Sequence, residues 1–214
     1  MPTKEAQNRD RFARFVQKIE KQNEVFEKAT PQERIVMCSK DALTMLQLGR
    51  IAPYKGIYVS VDSDKEFGEG EFSSFLKMPD YPTCAVCAIG GAMVCSVLRR
   101  NRVRVPHGED VDLTYIGCTY VDHRPMEQAQ IEMSERAREI YGNELLRKME
   151  AAFEDGAFDY HRVRGSVSTR FAAIYKNLIK NKGEKFTYYN SRELVLELEE
   201  FGIPHWYTSI GEDA

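Results

Sequence analysis

Apolar residues recur at helical spacing along most of this chain. Over residues 4–28, Phe12, Phe15, Val16, Ile19 and Phe26 stand among charged residues, which predicts an amphipathic helix. Thr30-Pro31-Gln32-Glu33 reads as a capping box with proline at the first helical position. Ile35, Cys38, Ala42, Leu43 and Leu46 then form one stripe, and Gly49 is placed to end that helix. Residues 54–61, YKGIYVSV, are rich in Tyr, Val and Ile and predict a strand. The acidic, glycine-containing stretch 62–70 reads as an exposed loop. From Cys84 to Leu98 no formal charge occurs, and Thr83 is placed as an N-cap. A helix polar on no face is buried on most of its faces, so this segment predicts the hub of the fold.

Residues 103–121 fit two short strands around His107-Gly108-Glu109-Asp110, or an irregular loop packed on the hub. Pro125 then opens a helix with Met126, Ala129, Met133, Ala137 and Ile140 inward. A second begins near Asn143 and buries Leu145, Leu146, Met149, Ala152 and Phe153. A third spans about 168–182, with Phe171, Ile174, Tyr175 and Leu178 inward and Gly183 as its stop. Asn190 and Glu193 cap a closing helix through Leu194, Val195, Leu198 and Phe201. The expected fold is mainly α (α+β): a compact helical domain around a buried central helix, with a small β-hairpin or short sheet. Residues 1–29 read as an N-terminal amphipathic arm and residues 30–214 as a single globular domain.

The formal net charge of −3 over 214 residues argues against a general polyanion binder, while leaving room for a local basic patch. No stretch approaches the roughly 20 apolar residues that cross a bilayer. The first fifteen residues lack the apolar core of a signal peptide, so a cytoplasmic location is expected and the five cysteines are expected as thiols.

Candidate chemistry is concentrated near the hub. Cys84 and Cys87 form a Cys-x-x-Cys pair, which suits either a redox couple or half of a zinc site completed by Cys118 and His123. A redox couple wants a sheet before the helix, and zinc pairs favour a knuckle over an apolar helix, so core packing is the favoured reading. No cofactor is expected, and zinc enters only if those four residues converge. Gly90-Gly91 lies in no phosphate-binding pattern. Two helical glycines cost about 1 kcal/mol each against alanine, so a neighbour packed close to the backbone is expected there. Arg99, Arg100, Arg102 and Arg104, with Arg170 downstream, are the candidate anion-binding residues, since guanidinium forks suit phosphates and carboxylates. Cations at the end of the hub helix would also complement its dipole. None of the four histidines sits in a metal-binding pair, and no nucleophile elbow occurs, so no catalytic residue is assigned.

The segments CAVCAIGGA at 84–92 and RFAAIYKNLIKNKG at 170–183 resemble the two signature stretches of a group of phage and prophage proteins of unassigned activity. In that group a C-x-V-C-A-x-G-A helix follows a helix–glycine–strand unit, here residues 42–61, and Gly91 departs from the usual alanine. The resemblance implies a viral accessory context and no catalytic residues. Two function classes follow. One is a non-catalytic accessory protein that binds a protein partner, such as a host-defence factor, with the N-terminal helix as docking or oligomerising arm. The other is a binding module or enzyme for a phosphate-containing ligand, nucleotide or nucleic acid, using the arginine cluster.

Overall fold

Thr30 and Glu33 close the capping box expected of them. The Thr30 Oγ1 accepts from the Glu33 N–H at 3.3 Å, and the Glu33 carboxylate accepts from the Thr30 N–H at 2.8 Å. These bonds hold the Glu33 carboxyl below the usual carboxylate range. The helix they start, α3 (Pro31–Gln47), follows α1 (Lys4–Lys21) and α2 (Asn23–Lys28). The computed structural model describes residues 4–56, 58–61, 71–80, 83–99, 127–154 and 167–183. The expected elements in 103–121 and 190–202 lie outside them.

After α3 come β1 (Ile51–Pro53), β2 (Val59–Ser60), α4 (Glu71–Leu76), β3 (Cys84–Val86), α5 (Ala88–Leu98), α6 (Glu127–Glu154) and α7 (Val167–Lys180). The strands form one sheet in the order β1-β3-β2. β1 runs parallel to β3 with Ile51 opposite Cys84, and β2 runs antiparallel to it with Val59 opposite Val86. The fold is mainly helical with a short sheet, as the pattern predicts.

The buried helix is where the sequence places it, but it starts later. Residues 84–86 are the central strand, not the first turn of the helix, and Cys87 is the N-cap. Cys84 and Val86 are buried while Ala85 is less so, the alternation of a strand. Thr83 does not cap the helix; its hydroxyl donates to the Gly49 carbonyl at 2.8 Å. All eleven residues of α5 are buried, and the helix packs on α3, α4, α6 and the sheet.

Gly90 and Gly91 lie where neighbouring elements leave no room for a side chain. A Cβ on Gly90 would lie 1.5 Å from the Tyr58 carbonyl oxygen, and one on Gly91 would lie 2.6–2.7 Å from the Phe171 ring and the Tyr175 hydroxyl.

One other local expectation changes. The N-terminal helix breaks at Gln22 into α1 and α2. Phe72 and Phe75 lie on α4 with both rings buried. Lys176 is buried, because α7 is packed by α3 and α6. The two helices predicted to meet near Asn143 do meet there. Gly142, at φ 71° and ψ 154°, interrupts α6, a backbone conformation open to glycine and strained for other residues. Among the described residues no helix is long and apolar enough to cross a membrane.

The glycine contacts rank two substitutions. Gly90→Ala drives a methyl group into a backbone carbonyl and should cost about 3 kcal/mol or more, whereas Gly91→Ala meets side chains that can shift and should cost about 1–3 kcal/mol. Urea unfolding midpoints of the two variants would reverse this order if the approach of Tyr58 were not the tighter contact.

Candidate functional site

The Cys-x-x-Cys pair is divided between two elements. Cys84 lies in β3 and Cys87 caps α5, its Sγ accepting from the Gly90 N–H at 3.4 Å. Cys38 and Cys95 are buried in the same core, and the Cys38 thiol reaches toward the Cys95 carbonyl at 4.0 Å. Burial pushes the Cys38 and Cys84 thiols up to about 12 and the Cys95 thiol well above its ordinary value. Such thiols are neutral and poor nucleophiles at any physiological pH. Cys118 and His123, the other members of the zinc set, lie outside the described residues. Among the described residues no three His, Cys, Asp or Glu side chains converge as metal ligands. In a Cys118→Ser variant the four remaining thiols should stay unlabelled by Ellman's reagent at pH 8 in the native protein and should all react in denaturant. Rapid labelling of the native variant would contradict the core assignment.

Of the five candidate arginines, Arg99 and Arg170 lie in the described residues, and both are engaged within the chain. Arg99, at the C-cap of α5, forks onto Asp41 of α3. Its Nη2 donates to Oδ1 at 3.0 Å and its Nε donates to Oδ2. Both side chains are buried, Arg99 3% and Asp41 4% exposed, and the guanidinium lies 5.2 Å from the centre of the Phe26 ring. The Asn23 amide, in the orientation that satisfies its neighbours, donates to the Arg99 carbonyl at 2.8 Å and to the Ile19 carbonyl at 3.1 Å. Arg170 donates from Nη1 to the Phe153 carbonyl at 3.0 Å, in the last turn of α6. That bond satisfies a terminal acceptor of the helix. Arg100, Arg102 and Arg104 lie outside the described residues.

Burial pushes the Asp41 carboxyl up to about 6, against the pull of the Arg99 guanidinium. The folded value therefore lies above the unfolded one. Asp41's contribution to stability is fully present below about pH 4 and is lost as the pH rises through about 6. Asp41→Ala leaves a buried, uncompensated guanidinium and should cost about 3–5 kcal/mol at pH 7. The double variant Asp41→Leu/Arg99→Met should equal or exceed the wild type there, with its advantage growing between pH 4 and pH 6. Thermal unfolding across that range measures both effects; a double variant as unstable as the single one would mean that the pair itself stabilises the fold.

The break at Gly142 forms a concave surface of another kind. A cleft of about 540 Å³ lies between the start of α3, the two halves of α6 and the end of α7. Ile35, Ile140 and Leu145 provide its apolar part, and Arg138, Glu139, Glu144 and Lys148 also line it. Lys148 bonds Glu144 at 2.6 Å, which holds that carboxyl below its ordinary range. Glu139 accepts from Arg136 and lies 3.9 Å from Arg34. The lining thus carries two cations and two anions beside Ile35, Ile140 and Leu145, the first two of them buried, and a Cβ on Gly142 would meet nothing within 4 Å. Sequence reading did not single out this cleft. Its signal was the Gly142-Asn143 junction between two predicted helices.

The N-terminal helix divides its sides differently from a free arm. Phe12, Val16 and Ile19 are buried in the same core as the rest of the chain, and the Arg50 guanidinium lies 4.4 Å from the centre of the Phe12 ring. Its apolar side is covered from within.

Nothing outside the chain adds to this geometry. No protein-family model, curated protein or solved structure matches the sequence.

Proposed function

We propose that this chain is a non-catalytic accessory protein that acts by binding another protein, and that a segment of the partner seats in the cleft at the Gly142 break. The observation that carries this reading is the composition of the cleft. Two cations and two anions set among apolar residues in a concave surface match a polypeptide segment that presents both charge signs. A phosphate-bearing ligand would call for an excess of cations. Here Lys148 is already bonded to Glu144, and Arg99 and Arg170 are turned to Asp41 and to the Phe153 carbonyl. The resemblance to phage and prophage proteins supports a viral accessory role, with a host factor as the partner and the host cytoplasm as the setting.

The test is comparative capture from host extract with the wild type and with Lys148→Glu, an exposed substitution that makes the cleft acidic. Proteins retained by the wild type should fall at least tenfold on the variant, with no change in melting temperature. Equal retention by both forms would remove the cleft from the function. A mass of a few hundred daltons retained in native mass spectra, and lost on denaturation, would favour the small-ligand class instead.

A further inference from the structure

The outer side of α1 carries a second surface, separate from the cleft. Arg11, Arg14, Lys18 and Lys21 stand at positions i, i+3, i+7 and i+10, so they share one side of the helix over about 15 Å. All four are exposed. Phe12, Val16 and Ile19, on the opposite side, are buried in the core. The helix is therefore fixed to the body with its basic stripe outward.

The stripe differs from the other charges of its neighbourhood. On the same helix Arg9 pairs with Asp80 at 3.1 Å, and Glu20 pairs with Lys77 at 3.7 Å. None of the four stripe residues enters an ion pair among the described residues. Arg14 donates from Nε to the Asp10 backbone carbonyl at 3.3 Å, and Asp10, one turn before Arg14, is the acid at the border of the stripe. Four like charges thus lie in line on a protein whose formal net charge is −3.

We infer that this stripe is a docking surface for an acidic segment of a partner protein, most simply a helix with carboxylates at the same spacing. Charge complementarity selects an anionic partner, and two other anionic classes fit less well. A basic amphipathic helix holds a lipid surface by inserting its apolar side, and here that side is inside the fold. A long nucleic acid would bring its phosphates against the acidic remainder of the chain, with four cations to offset them. An acidic helix of a protein is short enough to meet the stripe alone.

The probe is a synthetic helical peptide with glutamates at i, i+3, i+7 and i+10, titrated against the full chain by fluorescence anisotropy. Its glutamine analogue, a duplex DNA and phosphatidylserine vesicles serve as comparisons. The acidic peptide should bind, the glutamine analogue should bind at least tenfold more weakly, and raising the salt from about 50 to about 200 mM should weaken the complex severalfold. The variant Arg11→Glu/Arg14→Glu/Lys18→Glu/Lys21→Glu should lose at least tenfold in affinity while keeping its circular dichroism and melting temperature. The variant Lys28→Glu/Lys40→Glu/Lys180→Glu/Lys182→Glu, with the same change of charge away from α1, should stay within about threefold of the wild type, on the screening expected of distant exposed charges. Absence of peptide binding, equal loss in both variants, or tighter binding of DNA or vesicles than of the peptide would each overturn the inference. Lys148→Glu, the cleft substitution, should leave peptide binding unchanged, so the two surfaces can fail separately.

Discussion

The approach of backbone to backbone at Gly90 is the constraint on which the rest of the structure depends. The Tyr58 carbonyl lies where a Gly90 side chain would be, and the same oxygen accepts from the Cys87 N–H at 3.3 Å. On the adjoining side of the turn, Tyr175 donates to the Ala88 carbonyl at 2.6 Å, and the Phe171 ring fills the space left by Gly91. The approach to β2, the start of α5 and the middle of α7 thus meet within one helical turn. This convergence also decides the chemistry at that turn. The Gly90 N–H bonds the Cys87 sulfur and the turn is covered by Tyr58, so among the described residues the glycine pair serves packing.

Polar contacts join the N-terminal helices to the body. Buried Arg136 of α6 donates to Glu27 of α2 at 3.3 Å, and Arg34 of α3 donates to the Phe26 and Glu27 carbonyls at 3.0 and 2.7 Å. Asn23 reaches the end of α5 through the Arg99 carbonyl. The two Arg34 bonds satisfy terminal carbonyls of α2, and the Phe26 carbonyl also accepts from the Ala29 N–H at 3.2 Å. They also orient α2 over Arg99, so that the Phe26 ring covers the Asp41–Arg99 pair. Buried charge of this kind contributes little net stability, because desolvation offsets attraction.

What the sequence revealed and what it concealed follow from the range of the interactions. The α3 capping box and the Gly142 break rest on residues within a few positions of one another, and both were legible. The end of α7 near Gly183 was legible for the same reason. β3 was read as helix because three small apolar residues fit either element, and the choice was made by pairing with β1 and β2, more than twenty residues upstream. The engagement of Arg99 depended on Asp41, 58 positions away. A cluster of arginines was countable from sequence, but their partners were not. The stripe on α1 is a spacing and was present in the sequence; only the burial of Phe12, Val16 and Ile19 reveals which side faces out.

That burial changes what an amphipathic helix means. An arm with a free apolar side would bind by hydrophobic contact, which is strong and only weakly selective. With the apolar side committed to the core, α1 offers charge alone. Exposed charges at the edge of an interface act mainly on the rate of encounter and the orientation of approach, and salt screens them. On the proposed reading the cleft supplies the complementary part, since a concave surface of mixed charge can enclose a partner segment and so slow dissociation. A partner steered by α1 and held by the cleft would need an acidic segment and a mixed, partly apolar one. Binding would then depend on two features of the partner at once, which is a route to selectivity that needs no large apolar interface.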